Sequence, residues 1–199
     1  IGHVLEFDLR DSRFNPTEGF VARTRNEVAG LGGTVRFLKN TISAAQYYSP
    51  AKDWVLSVNG RAGYIYGLGE DVQISERFFL GGDNLRGFKT TGAGPRDTLT
   101  DDALGGEWIY SATLQMLWPL GLPEELGLTG RLFTDMGSIG SINPTNSSVA
   151  GSGSVRVSAG VGFGWVSPFG PVNVDFGVPL VKDSVDIKEI IRVNFGTRF

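Results

Sequence analysis

The chain has 199 residues, enough for one large domain or two small ones. It has no cysteine and a single histidine, His3, which excludes a disulfide framework, a thiolate metal cluster, a histidine triad and a multi-histidine metal site. A formal net charge of −3 gives no ground for a nucleic-acid partner, and no apolar run approaches the ~20 residues of a membrane helix. The chain does not open on methionine, so a segment removed upstream is expected.

The strongest pattern along the chain has a period of two, the signature of strands with one apolar and one polar face. Residues 4–10 set Leu5, Phe7 and Leu9 against Glu6, Asp8 and Arg10. Residues 18–29 and 34–48 are strand-like in composition but alternate poorly. Over 54–66, Trp54, Leu56, Val58, Tyr64 and Tyr66 oppose Ser57, Asn59, Arg61 and Gly63. Over 107–118, Trp108, Tyr110, Leu114, Met116 and Trp118 oppose Glu107, Ser111, Thr113 and Gln115. Residues 128–137 set Leu128, Leu132 and Met136 against Thr129, Arg131 and Asp135. The last three stretches, 155–165, 172–180 and 190–199, alternate most cleanly, with Arg156, Asp175, Arg192 and many glycines on the polar side.

Nine strands, no helix and no domain boundary are therefore expected, so residues 1–199 read as a single β domain. Turn residues mark short links at Asn15-Pro16, Ser49-Pro50, Leu122-Pro123 and Ser167-Pro168. Between them lie a glycine turn at Gly30–Gly33 and longer links at 67–106, 138–153 and 182–189. Short turns at one end and long loops at the other are the plan of outer-membrane barrels.

Period two alone leaves two solutions. A soluble barrel or sandwich turns its apolar face inward, whereas a membrane barrel turns it to lipid and lines its lumen with the polar face. Trp54, Tyr66, Trp108, Trp118, Trp165 and Phe199 lie near the ends of apolar faces, where aromatic girdles form. The polar faces are rich in glycine, which weakens a strand unless something packs closely against it. A lumen holding an inserted element meets that condition, and the membrane barrel is preferred.

Residues 67–106 are too long for an idle connection. They contain Arg77-Phe78-Phe79-Leu80-Gly81-Gly82-Asp83-Asn84-Leu85-Arg86-Gly87-Phe88, followed by Gly92-Ala93-Gly94-Pro95-Arg96-Asp97. This stretch resembles the loop 6 region of BamA-like outer-membrane assembly proteins, whose hallmark is an (I/V/L)-R-G-(F/Y) tetrapeptide after an FFLGG-like lead. Pro119–Leu126, Phe133-Thr134-Asp135-Met136-Gly137 and Asn194–Phe199 resemble later segments of the same family, and in the same order.

The resemblance implies an all-β, antiparallel transmembrane barrel region of about nine strands, the C-terminal part of a sixteen-stranded barrel. The long extracellular-side loop 67–106 would fold into its lumen. It further implies that Leu85, Arg86, Gly87 and Phe88 form the functional motif, with Asp135 as the carboxylate partner of Arg86. The family places a second acid in the preceding strand, where this chain has Gln115. Gly196 and Phe199 fall where relatives carry a seam glycine and the terminal aromatic of the insertion signal.

The implied role is an outer-membrane insertase component in the bacterial outer membrane. Its partners would be the lipid bilayer, nascent β-barrel proteins and accessory assembly subunits, with no nucleic acid. A translocating pore of the same superfamily and a passive small β-barrel stay open as alternatives. No paired-carboxylate site is supported by spacing, and a non-enzyme without cofactor or metal is expected. Gly160-x-Gly162-x-Gly164 is no dinucleotide fingerprint, because it lies inside an alternating strand with no helix after it. Asp97, Asp101 and Asp102 lack EF-hand spacing and read as loop solvation.

Overall fold

The computed structural model describes residues 1–30, 32, 35–123, 127–140, 149–167 and 170–195. Nine long strands form one antiparallel meander in chain order. They are β1 (Gly2–Asp8), β2 (Gly19–Ala29), β3 (Phe37–Ala51), β4 (Trp54–Gly67), β7 (Trp108–Pro119), β8 (Leu128–Gly140), β10 (Arg156–Ser167), β11 (Gly170–Val181) and β13 (Ile191–Phe195). The long loop adds β5 (Gly87–Phe88) and β6 (Arg96–Asp97), which pair with β12 (Lys188–Glu189) and β9 (Val149–Ala150) in later connections. A single 3₁₀ turn, Ile74–Glu76, is the one helical element among the described residues.

One connection departs from the sequence reading. Ser49-Pro50, expected as a turn, lies within β3, and the hairpin is made two residues later by Lys52 and Asp53. The register shifts between Tyr48 and Ala51, a bulge that accommodates the missing N–H of Pro50. Asp53 takes the left-handed conformation (φ 63°) that short polar side chains tolerate. The alternating stretches elsewhere fall on strands, although β8 runs on to Gly140 and the last strand is described from Ile191 to Phe195.

The two faces have opposite chemistry. On the outward face Ile42, Val58, Leu114, Leu132, Val161, Val178, Leu180 and Val193 are exposed. The buried apolar side chains gather instead between the inner face and the long loop. Ile65, Ile109 and Ile139 rise from β4, β7 and β8 to meet Val72, Phe78, Leu80, Leu85, Phe88 and Ala93 of the loop. An apolar exterior around a core made by an inserted loop is the arrangement of a sheet that faces lipid.

Glycines are placed where something crosses the strands. On the outward face a Cβ at Gly140 would meet the ring of Trp108, and one at Gly130 the ring of Trp118. These are the direct cross-strand neighbours in the β7–β8 register. Trp118 also stacks on Trp54, with ring centroids 6.4 Å apart. Trp108 and Trp118 lie ten positions apart on β7. At ~3.3 Å per residue and a tilt of roughly 40°, that separation spans about 25 Å, the height of a barrel's apolar band.

This spacing predicts where the indoles sit in a bilayer. In single-tryptophan variants, brominated lipids should quench Trp108 and Trp118 more strongly with bromine near the headgroups than at the acyl ends. Stronger quenching from the bilayer centre would contradict the girdle assignment.

Candidate functional site: the long loop clamped on the sheet

The tetrapeptide Leu85-Arg86-Gly87-Phe88 is entirely buried against the inner face. Arg86 is 2% exposed and is held on several sides. Its Nε and Nη2 donate to the two carboxylate oxygens of Asp135, both at 2.8 Å, and its own backbone N–H donates to Asp135 Oδ2 at 3.0 Å. Nη1 donates to Gln115 Oε1 at 2.9 Å. The guanidinium lies over the ring of Phe133, 3.5 Å from its centroid. The planar fork of arginine matches a carboxylate in two parallel bonds, the strongest charge-assisted geometry available to a side chain.

Asp135 is fully buried and also accepts from the hydroxyl of Thr113 at 2.9 Å. The register explains the convergence. Thr113 is the cross-strand neighbour of Asp135, and Gln115 is that of Phe133, so β7 and β8 present all four to the same point. The structure therefore brings Arg86, Asp135 and Gln115 together.

A second acid is present, on a different strand from the one the family resemblance implies. Asp175 of β11, 1% exposed, lies 3.9 Å from Arg86 and 3.0 Å from Arg131 of β8. Two arginines and two aspartates thus balance in the interior, and neutral Gln115 completes the fork. A buried guanidinium left unbalanced would be strongly destabilising. Arg131 and Asp175 were legible as inner-face residues; their role was not, since it depends on how β8, β10 and β11 curve together.

Gly87 and Gly177 allow the loop to touch the wall. Gly87 has φ +90°, and a Cβ on Gly177 would lie 2.7 Å from the Gly87 nitrogen. Backbone approach this close requires glycine. Leu85 and Phe88 enter the core cluster beside Ile65, Ile109 and Ile139. Those three isoleucines interrupt the polar face of their strands. That interruption was the one signal in the sequence for the loop's apolar seat. Gly196 and Phe199 lie outside the described residues.

A further buried ion pair ties the connections together. Arg156 and Asp186, both fully buried side chains, are 3.0 Å apart. Arg156 also donates to the carbonyls of Gly151 and Ser154, both at 2.7 Å. Asp186 accepts from the backbone N–H of Asp183 at 2.6 Å and of Gly94 at 3.4 Å. Beside it the Ser154 hydroxyl, at 2.7 Å, holds the Asp183 carboxyl below the usual carboxylate range, with further help from Ser184 and Arg156.

Two outcomes follow from this geometry. Asp135→Asn leaves the Arg86 charge short of a partner and should cost about 3–5 kcal/mol in unfolding measurements, with earlier tryptic cleavage at Lys89. Unchanged stability together with an uncleaved loop would refute the clamp. Because the folded Asp183 is depressed, its contribution is complete above about pH 4 and is lost as pH falls through the folded value. Ser154→Ala should move that loss to higher pH, read as protease susceptibility of residues 182–190 against pH.

Comparison with known proteins places the whole arrangement. The family model described as the Omp85 superfamily domain matches residues 1–199. The outer membrane protein assembly factor BamA of Neorickettsia risticii (strain Illinois) is 37% identical over 198 residues, which is 98% of this chain and 26% of that protein. The sorting assembly machinery 50 kDa subunit of Saccharomyces cerevisiae is 26% identical over 218 residues, covering 100% of this chain and 43% of that protein. The chain thus spans about a quarter of the first relative and less than half of the second. The crystal structure of BamA from Haemophilus ducreyi lacking POTRA domains 1–3 superposes with a TM-score of 0.85 at 20% identity, over 96% of this chain and 41% of that one. An apolar exterior, a polar inner face and a loop clamped between them are thereby accounted for: the chain belongs to the Omp85 superfamily, and its sheet is part of an outer-membrane β-barrel.

Proposed function

We propose that this chain is the C-terminal barrel region of an insertase that assists folding and membrane insertion of other outer-membrane β-barrel proteins. The observation that carries the reading is the buried Arg86–Asp135 clamp, within a chain similar along its length to a named assembly factor. In this reading the lipid bilayer, nascent β-barrel proteins and accessory subunits of an assembly complex are the partners. The long loop reaches the lumen from the extracellular side.

The work proposed is physical rather than covalent, so the role is non-enzymatic and needs no cofactor. A strand at the end of a sheet offers unpaired backbone groups to an incoming strand. β13 ends the sheet order, bonded to β11. An entering client strand would exchange hydrogen bonds with this edge while the bilayer thins beside it. Gly196, in the position of the family's seam glycine, would loosen the last strand, and Phe199 would serve as the end of its insertion signal. Leu85, Arg86, Gly87 and Phe88 would keep the loop seated so that the remaining strands stay in register.

The test is complementation by the full-length protein in cells depleted of their own assembly factor. Arg86→Ala and Asp135→Asn should lower the amount of folded outer-membrane β-barrel proteins several-fold, and Gly196→Val should slow their appearance. Normal levels with all three substitutions would reject the insertase reading. Purified protein that conducts ions and passes unfolded polypeptide, yet inserts none, would favour a translocating pore instead.

A further inference from the structure

The last strand is held from inside by the same loop that carries the arginine motif. Arg192 projects from β13 onto the inner face, as the cross-strand neighbour of Asp175. Its guanidinium donates to Thr90 Oγ1 at 3.1 Å and lies 3.7 Å from Asp83 Oδ1, both in the long loop. It also lies 2.7 Å from Glu189 Oε1 in β12. The loop is bare where the guanidinium rests. Gly82 has φ +64°, and a Cβ there would meet Thr90 Oγ1 at 2.9 Å and Arg192 Nη2 at 3.2 Å.

The backbone makes the same connection. Gly87 and Phe88 pair with Glu189 and Lys188, immediately before the last strand, and Lys89 N–H donates to the Ile187 carbonyl at 2.9 Å. Segment 82–90 is therefore bonded to the chain on the N-terminal side of β13 by main chain, and to β13 itself by Arg192. Asp175 stands between the two arginines, 3.9 Å from Arg86 and opposite Arg192.

We propose that Arg192 is a positioning residue that latches the last strand to the long loop, so that the strand and the loop segment 82–90 loosen together. The consequence for client insertion rests on the insertase reading above; the latch itself does not. Among the described residues, the side-chain contacts that tie Arg192 to a distant part of the chain are those to the loop. Asp83 and Thr90 are more than a hundred positions from Arg192, whereas Glu189 is three residues away. Losing the guanidinium therefore removes a tie between distant segments and leaves the local turn its backbone pairing.

The experiment is hydrogen–deuterium exchange on the full-length protein in vesicles of outer-membrane phospholipid. Arg192→Ala should speed exchange roughly tenfold in both 82–90 and 191–195, leaving β3 and β4 at the wild-type rate, as expected for loss of a charge-assisted contact. Asp83→Asn combined with Thr90→Val changes only exposed loop positions and should speed exchange in 191–195 as well. Wild-type exchange at the remote segment in both proteins would overturn the latch.

A second arm adds a synthetic peptide of residues 187–199 as a stand-in client strand. In the wild type its binding should raise exchange at 82–90, and in Arg192→Ala that rise should vanish. A peptide that binds and raises exchange equally in both proteins would overturn the coupling. Failure of the peptide to bind would count against strand exchange at the seam, and the latch would then be decided by the first arm.

Discussion

A guanidinium inside a membrane-spanning sheet must be neutralised by the residues around it, and the seat of Arg86 organises the rest of the inner face. Its charge is balanced by Asp135 at 2.8 Å and by Asp175 at 3.9 Å, with Arg131 sharing the latter. Those partners come from β8 and β11, and Gln115 comes from β7. The loop can present Arg86 at this depth only because the wall is cleared of side chains where its backbone passes. Polar inner faces, glycines on the wall and a long loop are then one requirement seen three times. Buried polar groups are costly unless paired, and each of the three guanidinium nitrogens of Arg86 meets an acceptor.

Two solvents divide the molecule. Outside, the aliphatic side chains of the strands are exposed and suited to lipid; inside, the nine-residue apolar cluster is made almost wholly between loop and sheet. The usual logic of a soluble β protein is inverted, because the hydrophobic effect here does not drive sheet onto sheet. It seats the loop, through Phe78, Leu80, Leu85 and Phe88 on three isoleucines. The ion pairs then fix the loop's orientation, since dispersion and burial are non-directional and bidentate hydrogen bonds are not.

The connections that meet the loop are joined to it as well. Arg156 and Asp186 gather Gly94, Gly151, Ser154 and Asp183 around one buried pair, and Arg192 gathers Gly82, Asp83 and Thr90 at the last strand. Segments more than a hundred residues apart therefore share their fate. For the strand exchange proposed above, side chains on the inner face can anchor the last strand while leaving its hydrogen-bonding edge clear.

Period and composition in the sequence by themselves determined nine strands, and for the seven that alternate also the two faces and the residues on each, because neighbouring side chains on a strand must point to opposite sides. Arg86 and Asp135 were singled out by the family resemblance that their surrounding residues carry. Register and curvature decided the rest. Asp175 became the second acid because β11 approaches the loop from the far side, a proximity encoded at no fixed spacing. Ser49-Pro50 moved into a strand because a bulge accepts a proline that a regular ladder cannot. Arg192 found Asp83 and Thr90 because the loop folds back to the end of the sheet, and only the tertiary structure brings residues that distant within reach of one guanidinium.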